Sequence, residues 1–225
     1  MIVRVKRQDN ASSESYYQEF EYRGSGRDTV SHILEQINSE ENLRDVTGRT
    51  ASKIRWECSC MQKMCGACAM VINGRPALAC SEFIDTDSED VLVLEPLSKF
   101  PVEADLITDR SCITEHQKEA MLYLGTRRKP DRREHDQQYS AAKCLKCGLC
   151  LEVCPNFTGP SGRFYGAVMA NEAYLLASSS EDRAKDIAAE YKKHFGRGCS
   201  KSLACREICP AEIQTLSSIG YMNRK

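Results

Sequence analysis

The sequence predicts a two-domain α+β protein, with strands and one helix over residues 1–100 and a helical domain over residues 101–225. Three observations carry this reading. Short alternating runs surround one helical-period stretch in the first 100 residues, helical spacing dominates beyond Pro101, and a charged segment without apolar periodicity, 125–140, connects the later helices. A length of 225 residues suits one large or two ordinary domains of about 100–200 residues each.

Residues 2–6 and 17–22 alternate as strands do, and Gly24-Ser25-Gly26 ends the pattern. Asp28 is the expected N-cap of a helix whose buried face is Val30, Ile33, Leu34 and Ile37, at i, i+3, i+4 and i+7. Ala69-Met70-Val71-Ile72 and Arg75-Pro76-Ala77-Leu78 flank Asn73-Gly74, a two-residue hairpin signal because both central positions need positive φ. Val91-Leu92-Val93-Leu94 reads as a short buried strand. In the second domain helices are expected over 115–124, 167–178 and 181–195, the last with Ser179 and Asp182 as a capping box.

Composition excludes several classes of function. With 31 Lys and Arg against 32 Asp and Glu, the formal net charge is −1, which argues against nucleic-acid binding through phosphate neutralisation. Arg127-Arg128-Lys129 and Arg132-Arg133, around Pro130 and Asp131, read as a solvated linker, the competing reading being a docking patch for an acidic partner. No apolar run reaches the 18 or so residues of a membrane span. The first ten residues alternate apolar with charged side chains, unlike a secretory signal, so a cytoplasmic protein is expected.

Thirteen cysteines are the anomaly. In a reducing compartment such a number points to metal ligation more than to disulfides. Cys60, Cys65, Cys68 and Cys80 are spaced C-x4-C-x2-C-x11-C, the loop by which plant-type ferredoxins wrap a 2Fe-2S cluster. Counting outwards from the hairpin places Cys68 opposite Ala79, so Cys80 returns beside Cys68. Gly66 and Ala67 let the backbone approach and aim N–H groups at the sulfides. A structural zinc site is the alternative, although zinc favours two separated close pairs.

Cys144, Cys147, Cys150 and Cys154, followed by Pro155, form the bacterial-ferredoxin run C-x2-C-x2-C-x3-C-P, whose fourth cysteine serves the other cluster of a pair. The second run is Cys199, Cys205 and Cys209 before Pro210, with Ser202 where a cysteine would stand. Crossing the ligands gives Cys144, Cys147, Cys150 and Cys209 to a 4Fe-4S cluster. Cys154, Cys199 and Cys205 are then three thiolates without a fourth, which predicts a 3Fe-4S cluster. A Ser202 alkoxide is the less favoured ligand because a hydroxyl is far more basic than a thiol. Cys58 and Cys112 remain, read as buried thiols outside the clusters.

These motifs, with Cys65-Gly66-Ala67-Cys68-Ala69-Met70, Leu94-Glu95-Pro96-Leu97, Pro101-Val102 and Asp105-Leu106, resemble the iron-sulfur subunit of the succinate dehydrogenase and fumarate reductase family over nearly the whole chain. The resemblance implies an N-terminal β-grasp 2Fe-2S ferredoxin domain and a C-terminal α-helical domain of bacterial-ferredoxin type. It implies the same crossed ligand assignment. It further implies the electron-transfer subunit of an oxidoreductase acting on CH–CH bonds, joining an FAD-containing flavoprotein to a quinone-reactive or membrane-anchor subunit at the inner face of the cell membrane.

No dinucleotide fingerprint or acid–base constellation gives the chain a substrate site of its own. His32, His116, His135 and His194 lack metal spacing and read as surface or packing residues, and Trp56 reads as packing. Two departures stand out. Where ubiquinone-linked members carry Trp and His, this chain has Thr158, Gly159 and Ser200, while Asn156-Phe157 resembles the fumarate reductase branch and anaerobic respiration. The rival readings are a different flavoprotein partner, a free-standing multi-cluster ferredoxin, and a zinc-stabilised module.

Overall fold

The computed structural model describes every residue except Pro130 and Arg133. It divides into two compact units, Met1–Asp109 and Arg110–Lys225.

In the first unit the alternating N-terminus forms β1 (Ile2–Arg7), antiparallel to β2 (Tyr16–Glu21). Strand β7 (Val91–Glu95) lies parallel to β1 on its other side, then β4 (Ala69–Ile72) and β5 (Arg75–Leu78) complete a sheet of order β2-β1-β7-β4-β5. Val3, Val5, Leu92 and Leu94 are wholly buried, in register as Val3↔Leu92 and Val5↔Leu94. Strand β7 is half-buried by alternation, with Val91 exposed, because one face alone meets the core.

A parallel pair needs a long crossover, and α1 (Val30–Ser39) lies within it, burying Val30, Ile33, Leu34 and Ile37 as its spacing predicts. Its N-cap is Thr29, whose side chain accepts from the His32 N–H, and not Asp28. Asp28 is instead in β3 (Arg27–Thr29), paired with β6 (Phe83–Asp85), and its carboxylate accepts the Tyr22 hydroxyl at 2.6 Å. The sequence reading ends this domain at residue 100, whereas the compact unit continues through β8 (Val102–Ala104) and β9 (Ile107–Thr108), whose turn residue Asp105 is buried against Arg7.

The second unit is helical. The helix α5 (Gly166–Ser179) packs against α3 (His135–Ala142), α4 (Leu149–Glu152), α6 (Ala184–His194) and α8 (Thr215–Met222). Met169, Ala170, Ala173, Tyr174 and Ala177 join Ile187, Tyr191 and Met222 in its core. The remaining helices are α2 (Cys112–Glu119) and α7 (Ala204–Glu207), with a 3-10 turn at Gly196–Gly198.

Three expectations change here. The helix expected over 115–124 is Cys112–Glu119, stopped where Met121 takes φ 48°. No Ser179–Asp182 capping box forms, because Ser179 ends α5 and Asp182 accepts from the Thr126 N–H at 2.8 Å, leaving α6 to start at Ala184. The supposed linker 125–140 contains most of α3. That helix buries little beyond Ser140 and Ala141, and docks through polar contacts, Gln138 to Ser178 and Gln137 to Ser218, so no apolar period announces it. Within the basic stretch Arg128 pairs with Glu134 and Arg127 bridges to Ser180; Pro130 and Arg133 lie outside the described residues.

Candidate iron-sulfur centres

The β4–β5 hairpin forms as the dipeptide requires. Asn73 and Gly74 take φ of 47° and 77°, and Ile72 pairs with Arg75. The ladder runs out to the Ala79 N–H donating to the Cys68 carbonyl at 3.0 Å, which fixes Cys68 and Cys80 at the hairpin base. From there the 60–68 loop doubles back through Met61 (φ 55°), Lys63 (φ 61°) and Gly66 (φ 76°). Left-handed residues other than glycine are uncommon, and here they turn successive N–H groups inwards.

Several of those groups reach sulfur. Gln62 and Met64 donate to Cys60 Sγ at 3.4 and 3.3 Å, Lys63 to Cys80 Sγ at 3.3 Å, and Ala67 to Cys65 Sγ at 3.5 Å. The structure therefore brings Cys60, Cys65, Cys68 and Cys80 around one loop, with Cys65 near Cys60 and Cys80 beside Cys68. The two sides differ electrostatically. Backbone N–H donation from Gln62 and Met64 lowers the Cys60 thiol to about 7, whereas burial pushes Cys68 up to about 12. Sequence reasoning found Ala67 as a donor but missed Gln62, Lys63 and Met64, since a backbone donor leaves no side-chain signature.

In the second unit, Cys144, Cys147, Cys150, Cys205 and Cys209 line one recess. Burial pushes Cys147 up to about 11, with Cys144 and Cys209 adding to it, and pushes Cys150 well above the ordinary thiol value. Cys205 is raised by burial and by the proximity of Cys154 and Cys199. Cys209 is thus near Cys144, Cys147 and Cys150, while Cys154 and Cys199 are near Cys205, which itself also acts on Cys150. Arg110 donates to the Cys147 carbonyl at 3.2 Å and places a cation near the first group, a residue the sequence did not single out.

The two cysteine runs share one backbone pattern. Lys146 and Gly148 take φ of 51° and 85° before α4, and Lys201 and Leu203 take φ of 60° and 64° before α7. Ser202 therefore occupies the place of Cys147, but it is exposed where Cys147 is buried. The spacing makes the runs comparable; the repeated turn and helix make them equivalent in conformation.

Cys112 is buried and Cys58 is exposed, which corrects the reading of Cys58 as a buried thiol. It lies in an irregular segment ahead of the cluster loop, with no element to cover it. His116 and His194 are buried on either face of Tyr165, at ring centroid distances of 3.8 and 4.1 Å, while His32 and His135 lie at the surface. Among the described residues no three His, Cys, Asp or Glu side chains are drawn together tightly enough to chelate a single ion.

The donor set suits iron-sulfur clusters. Buried thiols do not ionise in groups without a cation among them, ferric iron supplies one, and N–H groups already directed at Cys60, Cys65 and Cys80 provide the hydrogen bonds that cluster-ligating sulfurs take.

Comparison with known proteins agrees with this chemistry. Residues 2–115 match the family of the 2Fe-2S iron-sulfur cluster binding domain, and residues 140–213 match the 4Fe-4S dicluster domain. The succinate dehydrogenase iron-sulfur subunit of Bacillus subtilis is 32% identical, over 98% of this chain and 90% of its own length. The fumarate reductase iron-sulfur subunit of Haemophilus influenzae is 28% identical, over 81% of this chain and 80% of its own. The fold is similar to a chain of the Mycobacterium smegmatis Sdh1 complex, with a TM-score of 0.73 and 23% identity, covering 100% of this chain and 96% of that one.

Proposed function

This chain belongs to the iron-sulfur subunit family of succinate dehydrogenase and fumarate reductase, and from that premise we propose how its residues divide the work of electron transfer in the oxidoreductase complex. Cys60, Cys65, Cys68 and Cys80 hold the 2Fe-2S cluster. Cys144, Cys147, Cys150 and Cys209 hold the 4Fe-4S cluster, and Cys154, Cys199 and Cys205 hold a 3Fe-4S cluster. The observation that carries the assignment is the crossed grouping, in which Cys209 joins the first run and Cys154 the second.

When bound, the clusters supply one-electron redox chemistry, suited to a two-electron flavin on one side and a quinone-reactive partner on the other. The chain's own residues set the conditions. Gln62, Lys63, Met64 and Ala67 direct N–H groups at the first set of sulfurs, stabilising negative charge there. Burial around Cys147 and Cys150 excludes water from the second set. The mixed sheet with α1 as its crossover is read as a β-grasp ferredoxin domain, and the helical unit as a bacterial-ferredoxin-like domain.

The partners are an FAD-containing flavoprotein and a membrane-anchor or quinone-reactive subunit, which would hold the chain peripherally on the cytoplasmic face of the membrane. No described helix is long and apolar enough to cross a membrane. The relatives include both succinate dehydrogenase and fumarate reductase subunits, so the lean towards the fumarate branch rests on Asn156-Phe157 with Thr158, Gly159 and Ser200.

Anaerobic purification with partners retained tests the reading. Roughly nine iron per chain are expected from one cluster of each type, with copurifying flavin and fumarate or succinate activity. A colourless zinc protein, or a cluster-loaded chain that never copurifies with a flavoprotein, would overturn it.

A further inference from the structure

The recess that gathers Cys144, Cys147, Cys150 and Cys209 is also lined by Asn171 and Thr215. Asn171 lies in α5 and is 4% exposed; Thr215 opens α8 and is 1% exposed. As placed, Asn171 Nδ2 donates to Thr215 Oγ1 at 3.1 Å, and Asn171 Oδ1 is buried with no hydrogen-bond partner. A buried amide oxygen left unpaired is costly and calls for an explanation.

The two ends of an amide are distinguished by their hydrogen bonds, not by their shape. The Thr215 hydroxyl can donate as well as accept, and its other acceptor, the Ile213 carbonyl, is distant at 3.5 Å. Turning the amide over lets Thr215 donate to Oδ1 and leaves Nδ2 as the group without a partner. The surroundings decide between the two arrangements. Thiolates and sulfides of an iron-sulfur centre only accept hydrogen bonds, so they repel an amide oxygen and attract an N–H.

We infer that, with the four-iron centre in place, the Asn171 side-chain N–H donates to one of its sulfurs, held in that orientation by the Thr215 hydroxyl. This rests on the ligand set proposed above. A donor to cluster sulfur stabilises the reduced, more negative state, so Asn171 raises the potential of that centre relative to an apolar residue. Thr215 is a positioning residue that acts through Asn171.

The test is a redox titration followed by EPR on the anaerobically purified complex carrying Asn171→Leu, which is similar in size and has no donor. At fixed potential the ratio of reduced to oxidised four-iron centre is expected to fall about tenfold, equal to about 59 mV for one electron. The midpoints of the other two centres should not move. An unchanged four-iron midpoint overturns the inference. Should Asn171→Leu fail to assemble, wild-type complex labelled with 15N in asparagine provides the second reading. Hyperfine coupling of a side-chain nitrogen, and of an exchangeable proton, to the reduced four-iron centre is expected, and its absence overturns the inference equally. Cys209→Ser tests the ligand set separately: an intact four-iron signal there sinks the assignment, whatever Asn171 does.

Discussion

Arg7 Nε and Asp105 Oδ1 meet at 3.0 Å with neither side chain exposed to solvent. Arg55 holds the other carboxylate oxygen through its Nε at 3.2 Å and its backbone N–H at 2.9 Å, and the Gln8 N–H donates to the first at 3.0 Å. The remaining Arg7 donors reach Gln18 Oε1, Ser52 and the Lys53 carbonyl. A buried ion pair this fully satisfied ties the end of β1 and the β8–β9 turn to the segment that leads into the first cysteine loop.

Removing one partner of such a pair strands the other. Asp105→Asn is expected to lose about 3–5 kcal/mol of unfolding free energy, measured by urea titration of the full chain at pH 7. Burial pushes the Asp105 carboxyl up, but hydrogen bonds from Arg7 and Arg55 outweigh it and leave it below its ordinary value. A depressed carboxylate contributes stability that is complete above its unfolded pKa of about 3.9 and fades as pH falls through the lower folded value. The gap between wild type and Asp105→Asn should therefore narrow below about pH 4. A gap that stays constant down to pH 2 would contradict the ion-pair account.

A Cβ added at Gly74 would meet no neighbour within 4 Å, so a substitution there carries only the backbone cost of φ 77°. Gly74→Val is expected to destabilise the first unit by about 1–2 kcal/mol. The hairpin base carries Cys68 and Cys80, so the variant should also lose its visible absorbance sooner on heating. Asn73→Ala removes a different bond, the Val93 N–H donating to Asn73 Oδ1 at 2.8 Å, and should add to the first effect. Thermal melts followed by visible absorbance and by circular dichroism check both.

Much of this was legible because chemistry fixes spacing. The Asn73-Gly74 turn has few alternatives, the Val30 to Ile37 face has one helical register, and C-x4-C-x2-C or C-x2-C-x2-C-x3-C can wrap little except a cluster. What escaped was held by tertiary contact. The helix α3 is stabilised by Gln137 and Gln138 reaching other helices, and Thr29 displaces Asp28 as cap because Asp28 is drawn to Tyr22. The Gln62, Lys63 and Met64 donors are backbone groups, so only the fold of the loop reveals them.

Tyr165 lies between His116 and His194, with interplanar angles of 3° and 14°, and its hydroxyl donates to Glu119 at 2.6 Å. Aromatic contacts of this kind contribute about 0.5–1.5 kcal/mol each beyond burial. Tyr165→Leu should lose both contacts and destabilise the full chain clearly. Tyr165→Phe keeps the stack and drops only the bond to Glu119, whose carboxyl that hydroxyl holds below its ordinary value. Equal losses in the two variants, measured by urea unfolding, would show that the stack contributes nothing.

The repeated turn gives the sharpest test of cluster type. Lys201 and Leu203 reproduce the left-handed conformations of Lys146 and Gly148, so residue 202 already has the backbone of a ligand and lacks only the sulfur. Ser202→Cys is expected to supply a fourth thiolate to Cys154, Cys199 and Cys205 and to convert the three-iron centre to a four-iron one. EPR of the oxidised complex should then lose the three-iron signal, and iron analysis should rise by about one per chain. Leu203 carries a side chain at φ 64° where the first run uses glycine, so Leu203→Gly should relax the turn by about 1 kcal/mol and help the new thiol approach. If the three-iron signal persists in both Ser202→Cys and the double variant, residue 202 does not face the cluster, and the equivalence of the two runs fails at the position where the second run has serine for cysteine.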